Sequence, residues 1–245
     1  MLHKTLFMML VLALAAPNIS AQEVEYDDLL ILYVDGNYEK LISKAEKYTD
    51  DSDTRRDPRP FLYISMAYFE ISKNEELSED YPKAFRDALK YASKFSKKDK
   101  ENEYFREHRD YLDELRSEAM READLFMADN DVRGMSQAAR IYKYLVDIDP
   151  NDVGSVMMYS AVLYKINRRG EADLLMRELG PKLTDIDFED MSPDQQEMLK
   201  FGMIHYSNYL KDEGMVDSAR VTMNLGHPYF KDDNEFRLSY EEIQN

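Results

Sequence analysis

The sequence predicts an all-α protein built from antiparallel pairs of helices. Glycine and proline are scarce, at eight residues each in a chain of 245, and charged residues make up 33% of it; this composition favours helices over sheet. Apolar residues recur at helical spacing along the chain, and clusters of Gly, Pro, Asn and Asp separate the helical segments. We therefore expect one extended array of paired helices.

The first 21 residues have the order of a secretory signal peptide. Lys4 precedes an apolar run from Leu6 to Ala16, and small residues end the segment at Ala21. The run is shorter than the ~20 apolar residues that span a bilayer, so we expect cleavage rather than the alternative, an N-terminal membrane anchor. The chain has no cysteine, which excludes a lipid-modified cysteine and disulfides. We expect a periplasmic or secreted protein with no integral membrane span after cleavage.

The helix boundaries are predicted from residues that typically begin or end a helix. Pro60 begins a helix that ends near Ser72, and Pro82 begins the next, because the missing N–H of proline costs nothing in a first turn. Ser192 is expected to cap a helix opened by Pro193. Further helices are predicted at 102–128, 132–148, 153–167, 169–180, 194–212, 214–226 and about 233–243, with breaks at 149–152, 180–181 and 226–228.

One segment, 135–151, has a specific pattern of small and apolar residues. Ala138 stands at a small position, apolar Tyr142 and Leu145 follow it, and the segment closes at Pro150. This pattern resembles the second helix of a tetratricopeptide repeat (TPR), a helix-turn-helix unit that stacks on its neighbours. The resemblance implies a right-handed superhelical array of antiparallel helix pairs, a TPR-like α-solenoid.

The same alignment extends to other segments, with irregular spacing. The residues it places in the repeat packing are Leu41, Ala84, Ala172 and Ala219 at the small position of second helices, Ser160 and Ser207 on first helices, and Asn167 and Gly214 in the turns. The expected organisation is a signal peptide at 1–21, a degenerate helical pair and linker at 22–59, the repeat array at 60–228, and a capping segment at 229–245.

Two surfaces are candidates for binding a partner. A helix beginning at Pro82 places a basic stripe along one side, formed by Lys83, Arg86, Lys90, Lys94 and Lys97. The alternative is that this stripe is only the solvated face of an amphipathic helix. Tyrosines on the predicted first helices are the second candidate, as the lining of a concave groove or, alternatively, as packing residues: Tyr159, Tyr164, Tyr206 and Tyr209.

No residue pattern indicates a cofactor, a metal site or catalysis. The histidines are not spaced as ligands on one helical face, and the acidic clusters do not complete a calcium-binding loop. No nucleophile or phosphate-binding motif is present. The net charge of −17 argues against nucleic acid as a partner. We expect no enzyme and no cofactor, although paired carboxylates could still meet in space as in a cell-wall hydrolase.

The function expected from these observations is a non-catalytic scaffold or adaptor for protein–protein interactions in the cell envelope. A subunit of a secretion or motility machine and an envelope-assembly factor both fit that expectation. The alternative is an exported module that binds a peptide or a glycan. The sequence predicts neither the partner's identity nor the oligomeric state.

Overall fold

The computed structural model describes residues 25–129 and 131–245. That part contains thirteen α-helices, one 3-10 turn at Phe188–Asp190 and no strand. The predicted signal peptide, residues 1–21, lies outside the described residues. The helices are α1 (Asp27–Val34), α2 (Tyr38–Asp50), α3 (Arg59–Lys73), α4 (Glu75–Asp80), α5 (Ala84–Lys98), α6 (Glu103–Glu107), α7 (Arg109–Met127), α8 (Val132–Ile148), α9 (Val153–Lys165), α10 (Arg169–Leu183), α11 (Pro193–Asp212), α12 (Val216–Phe230) and α13 (Asn234–Gln244).

The long helices pack as five pairs. Contacts join α1 with α2, α3 with α5, α7 with α8, α9 with α10, and α11 with α12. Successive pairs touch through α2 and α3, α5 and α8, α8 and α9, and α9 and α11, and α13 closes the array against α11 and α12. The predicted all-α array of helix pairs is confirmed, while its right-handed superhelical course stays a prediction.

Three of the pairs turn in the same way. The left-handed residue of each turn is Gly36, Asn167 or Gly214, with φ between +62° and +77°. In every case its N–H bonds to the carbonyl three residues back, and the next N–H bonds to the carbonyl five residues back. This double hydrogen bond is the Schellman motif, which ends a helix and reverses the chain. The first pair, α1 with α2, therefore uses the same turn as the last two pairs, α9 with α10 and α11 with α12.

The residues aligned by the sequence pattern occupy equivalent buried places. The small position, five residues after each of these three turns, is filled by Leu41, Ala172 and Ala219, all with no exposed surface. Ala84 and Ala138 are also buried, as are Tyr142, Leu145, Ser160 and Ser207, whereas Pro150 is exposed in the turn before α9. The aligned residues within the helices are thus packing residues, whereas Pro150, Asn167 and Gly214, which were expected in the repeat packing, are exposed in turns.

Helix α9 is enclosed on all sides. Every residue from Val153 to Tyr164 is buried. Its backbone approaches α11 closely at two glycines, Gly154 and Gly202: a β-carbon on Gly154 would lie 2.4 Å from the Leu199 amide nitrogen. Apolar residues around the whole circumference are typical of a core helix. Helix α9, packed against α11, therefore forms the centre of the C-terminal half.

Several predicted boundaries were wrong. Pro82 does not begin α5; it lies in a turn that the hydrogen bond from Ala84 N to Tyr81 O closes at 2.9 Å, a place that suits its fixed φ. The breaks expected at Pro181 and Pro228 do not occur, because each proline lies in the last turn of its helix and is exposed. The expected start of the capping segment at 229 therefore falls inside α12.

Two short helices interrupt the repeat spacing. The unpredicted α4 is capped by Asn74, whose side chain accepts hydrogen bonds from the amides of Glu76 and Leu77. The segment expected as one helix at 102–128 is divided into α6 and α7 at His108, which has φ −108° and ψ 26°. These insertions lengthen the intervals from 41 to 84 and from 84 to 138, and the segment with the 3-10 turn lengthens the interval from 172 to 219.

Candidate functional site

A groove runs between the N-terminal end of α5, the C-terminal half of α7 and the outer side of α8. Its closed part has a volume of about 210 Å³, and an open hollow of about 570 Å³ continues it along α8. Gln137 and Arg140 line both parts, so the two parts form one continuous surface. We call this surface the α5–α8 groove.

The floor of the α5–α8 groove is apolar. Leu89 and Ile141 are buried beneath it, and three aromatic side chains are partly exposed to it: Phe85, Phe126 and Tyr144. Aromatic groups at the bottom of a groove offer a large area of apolar surface for a partner side chain to cover.

The rim of the α5–α8 groove is basic. Four exposed cations line it: Lys83, Arg86, Arg133 and Arg140. None of the four forms an ion pair within 25–129 and 131–245. One acid, Glu122, lines the closed part. A protein with net charge −17 thus keeps four uncompensated cations around one apolar floor, which favours an acidic, partly apolar partner.

The structure divides the predicted basic stripe. Only Lys83 and Arg86 reach the groove. Lys90 lies 3.9 Å from Asp87, and Lys97 lies 3.1 Å from Asp147 on α8.

The ammonium group of Lys94 lies over the Tyr91 ring, 4.5 Å from its centroid. Burial, with the nearby charge of Lys90, lowers the pKa of Lys94. The charged groups in the C-terminal part of the stripe therefore contact other residues of the chain rather than lining the groove.

The predicted tyrosine surface is mostly interior. Tyr159, Tyr164 and Tyr209 are buried, and Tyr206 is partly buried. The rings of Tyr164 and Tyr209 stack with centroids 4.1 Å apart, which joins α9 to α11.

The hydroxyl groups of two of these tyrosines are satisfied within the chain. Tyr159 donates to Glu171 and Tyr164 donates to Asp173, at 2.7 and 2.6 Å. Burial raises the pKa of both groups, and these carboxylates raise it further. They act as packing residues that hold α9 against α10.

A second cavity, of about 620 Å³, lies where α7, α8–α9 and α10–α11 meet. At its base Arg116 of α7, 3% exposed, pairs with Asp113 and places its Nε 3.2 Å from Asp152. Asp152 is itself 1% exposed; it caps α9 by accepting a hydrogen bond from the Ser155 amide at 3.4 Å and also accepts one from Ser155 Oγ at 2.6 Å. This buried cluster fixes the α8–α9 turn to α7.

The segment between α10 and α11 covers one side of that cavity. Arg109 donates to the Asp190 carbonyl at 3.0 Å, and Lys182 donates to the Asn151 side chain at 3.0 Å. Burial, and then the charge of Asp152, raises the pKa of Asp149 in the wall. Because cations and carboxylates alternate around the cavity, its lining favours no single sign of charge.

Neither a metal site nor a membrane span emerges from the described ranges. No group of three or more His, Asp or Glu side chains in those ranges is arranged to hold a metal ion. None of the thirteen helices combines the length and apolarity that crossing a membrane requires. The mostly buried His205 has its pKa lowered to about 4, first by burial and then by the charge of Lys165.

No family model and no curated protein matches the sequence. Among solved structures, the chain is similar to the TPR2AB domain of yeast Sti1 in complex with pHSP90, with 14% identity and a TM-score of 0.35, over 89% of this chain and 83% of that one. These values are too low to support a functional argument. The fold is TPR-like. Its five helix pairs stack in chain order, and three of them reverse through the same Schellman turn.

Sequence reasoning missed half of the groove's cations. Arg133 and Arg140 lie seven residues apart on α8, on the polar side of a strongly amphipathic helix. That spacing was a visible signal, because residues seven apart share one helical face. What the sequence did not indicate is that α8 lies beside α5 and so brings these arginines next to Lys83 and Arg86.

Proposed function

We propose that this chain is a non-catalytic scaffold that binds protein partners in the cell envelope, within a secretion, motility or envelope-assembly machine. The observation that carries the proposal is the α5–α8 groove, an apolar floor ringed by four cations that have no ion pair in the described part of the chain. Desolvated apolar centres with charged rims are typical of protein-binding surfaces.

The chemistry of the groove favours a protein over other partners. Nucleic acid would meet four cations there but a strongly acidic surface elsewhere, since the chain carries 49 acidic residues against 32 Lys and Arg. A protein segment with acidic and apolar residues satisfies both the rim and the floor. The binding mode that fits best is a helix lying along the groove.

The envelope location rests on the sequence. Residues 1–21 have the features of a cleavable signal peptide. If export and cleavage occur, the protein recovered from the native host begins at residue 22 and is found outside the cytoplasm. Mass spectrometry of the intact protein from fractionated cells tests this; a full-length protein in the membrane fraction would favour the anchor instead.

The scaffold proposal is tested by crosslinking in the native host. The tagged protein is crosslinked in whole cells, and copurified proteins are identified and quantified by mass spectrometry. A groove variant, Arg86→Glu with Arg140→Glu, reverses two exposed rim cations. Its matched control, Lys100→Glu with Lys231→Glu, makes the same change in charge at exposed residues away from the groove.

We expect a defined envelope protein in constant ratio to the bait, lost in the groove variant and kept in the control. Equal recovery with both variants would show that the groove is not the binding surface. Absence of any other protein at a constant ratio would contradict the scaffold function.

The cavity beside Arg116 favours a second candidate, an exported module that binds a peptide or glycan. Its volume, about 620 Å³, falls within the range of ligand pockets, and its lining offers both donors and acceptors. Saturable binding of an oligosaccharide or short peptide by calorimetry, abolished by Arg106→Ala in the cavity wall but not by the groove variant, would favour this function over the scaffold.

A further inference from the structure

Helix α1 carries an apolar face that no other described part of the chain covers. It packs on α2 and α3 through Leu29 and Leu32, which are buried. On its opposite side Leu30, Ile31 and Val34 are 47%, 59% and 76% exposed. Terminal helices of a repeat array normally present a polar outer side to water, so this face differs from an ordinary cap.

The exposed face of α1 is also acidic. Asp27 and Asp35 are exposed at its two ends and form no ion pair with the described residues, whereas Asp28 pairs with Lys44 on the inner side. Residues 27, 30, 31 and 34 follow the i, i+3, i+4, i+7 spacing with which an amphipathic helix enters a groove. The face is therefore a helical surface with apolar anchors between two carboxylates.

This face complements the α5–α8 groove in charge, polarity and length. The groove offers cations where α1 offers carboxylates, and an aromatic floor where α1 offers Leu30, Ile31 and Val34. From residue 27 to 35, α1 spans about 12 Å, and from Arg133 to Tyr144 the groove side of α8 spans about 16 Å, at ~1.5 Å per residue. The groove side of α8 is therefore long enough to accommodate α1 along its length.

We propose that the α5–α8 groove receives the α1 face of a second copy of this chain, so that copies associate head to tail. This inference rests on the proposed function of the groove as a protein-docking surface. The two contacting surfaces are different patches of the same molecule, so the contact is heterologous. Such contacts extend into open chains or close into rings, unlike a symmetric dimer.

The test uses the chain from residue 22 onward, which keeps all the described residues. Sedimentation velocity and light scattering measure its mass from low-micromolar to submillimolar concentration, at low and at high salt. We expect the mass to rise with concentration beyond that of a dimer or to settle at a ring. High salt weakens this association, because exposed charges at the rim are screened.

Two variants separate the two surfaces. The groove variant, Arg86→Glu with Arg140→Glu, retains a normal α1 face. The face variant, Ile31→Lys with Val34→Lys, retains a normal groove. Its matched control, Leu174→Lys with Val221→Lys, places the same charges on other exposed apolar residues, 51% and 60% exposed. Circular dichroism and thermal unfolding confirm that each variant folds.

Each surface variant is expected to weaken self-association at least tenfold, while both controls behave as the unchanged protein. Mixing the two surface variants gives the decisive result. The groove variant contributes an intact α1 face and the face variant contributes an intact groove, so the mixture forms 1:1 complexes that do not grow further. A monomer at all concentrations, or a symmetric dimer that the groove variant leaves intact, would overturn the proposal.

The failure of this inference differs from the failure of the scaffold proposal. A monomeric protein that still captures another envelope protein through the groove overturns self-association alone. Crosslinks between copies, with no other protein at a constant ratio, support self-association and contradict the scaffold function.

Discussion

Gly202 lies against Gly154 where α11 crosses α9: a β-carbon on Gly202 would lie 3.1 Å from the Gly154 carbonyl oxygen and 2.7 Å from the Met157 β-carbon. Backbone atoms cannot move aside as the end of a flexible side chain can. The two glycines therefore set how closely the central helices of the C-terminal half approach.

Alanine at this crossing is expected to destabilise the protein. Gly154→Ala forces α9 and α11 apart and should lower the free energy of unfolding by about 1–3 kcal/mol, the cost of an overpacked core. The control is Gly170→Ala, also within a helix but with no atom beyond its own helical turn within 4 Å of the new β-carbon; it should raise stability by about 0.5 kcal/mol. Urea unfolding measures both. Equal effects would contradict the close crossing.

The left-handed turn residues differ in their tolerance of substitution. Asn167 has φ +62° and Gly214 has φ +77°, in turns with the same hydrogen bonds. Gly214→Ala places a β-carbon in a strained region and should cost about 1 kcal/mol, whereas Asn167→Gly removes such strain and should be neutral or stabilising. Thermal unfolding of the two variants checks this; a loss of stability in both would show that the Asn167 side chain has another role.

Two equivalent serines provide a test of buried hydrogen bonding. Ser160 Oγ donates to the Val156 carbonyl at 2.8 Å, but Ser207 Oγ, also buried, has no hydrogen-bond partner within the described ranges. Ser207→Ala should therefore raise the free energy of unfolding by about 1 kcal/mol, and Ser160→Ala should lower it by a similar amount. Both variants gain the same helix propensity from alanine. The difference between their free energies of unfolding, measured by chemical denaturation, therefore reports the difference in hydrogen bonding. A destabilised Ser207→Ala variant would contradict it.

The Arg116 cluster should be costly to break. Arg116→Met leaves the buried Asp152 without its cation and the partly buried Asp113 with only Arg109, at 3.7 Å. It is expected to cost about 3–5 kcal/mol at neutral pH. Arg121→Met is the control, because Arg121 pairs with Glu118 on the exposed side of the same helix, where ion pairs contribute little. Denaturant unfolding compares them, and similar losses in both variants would show that burial of the pair is unimportant.

The lowered pKa of His205 predicts that the protein loses stability as the pH falls. Burial lowers its pKa to about 4, with a smaller contribution from Lys165, whereas an unfolded histidine titrates near 6.5. The unfolded state therefore binds more protons between these values, and stability from this group falls as pH drops from about 6.5 towards 4, by up to roughly 3 kcal/mol.

His205→Leu removes this contribution. The difference in unfolding free energy between the variant and the unchanged protein should vary with pH across this interval and be constant above about 7. A difference that is the same at pH 5 and pH 7.5 would refute the shift.

The fold was predictable because its signals are local. The pattern around Ala138 to Pro150 and the helical spacing of apolar residues are contained within single helices. The turns at Pro181 and Pro228 were mispredicted because a proline in the last helical turn looks, in sequence, like one that ends a helix.

The groove was only half predictable because it depends on contacts between distant helices. Arg86 and Arg140 lie 54 positions apart, and the insertion of α6 between them removes the regular period that would align their helices. Likewise, the sequence does not show that Leu30 is left uncovered while Leu29 beside it is buried.

The enclosure of α9 limits how this protein can evolve. An array whose units touch only their neighbours can gain or lose a unit and still fold. Here, deletion of the last pair would expose one side of α9, which is buried all round. A duplicated pair would have to be inserted beside the crossing of α9 and α11, where there is no room for a β-carbon. The number of repeats in the C-terminal half is therefore fixed by its own core, and variation among related chains should be found at the N-terminal pairs.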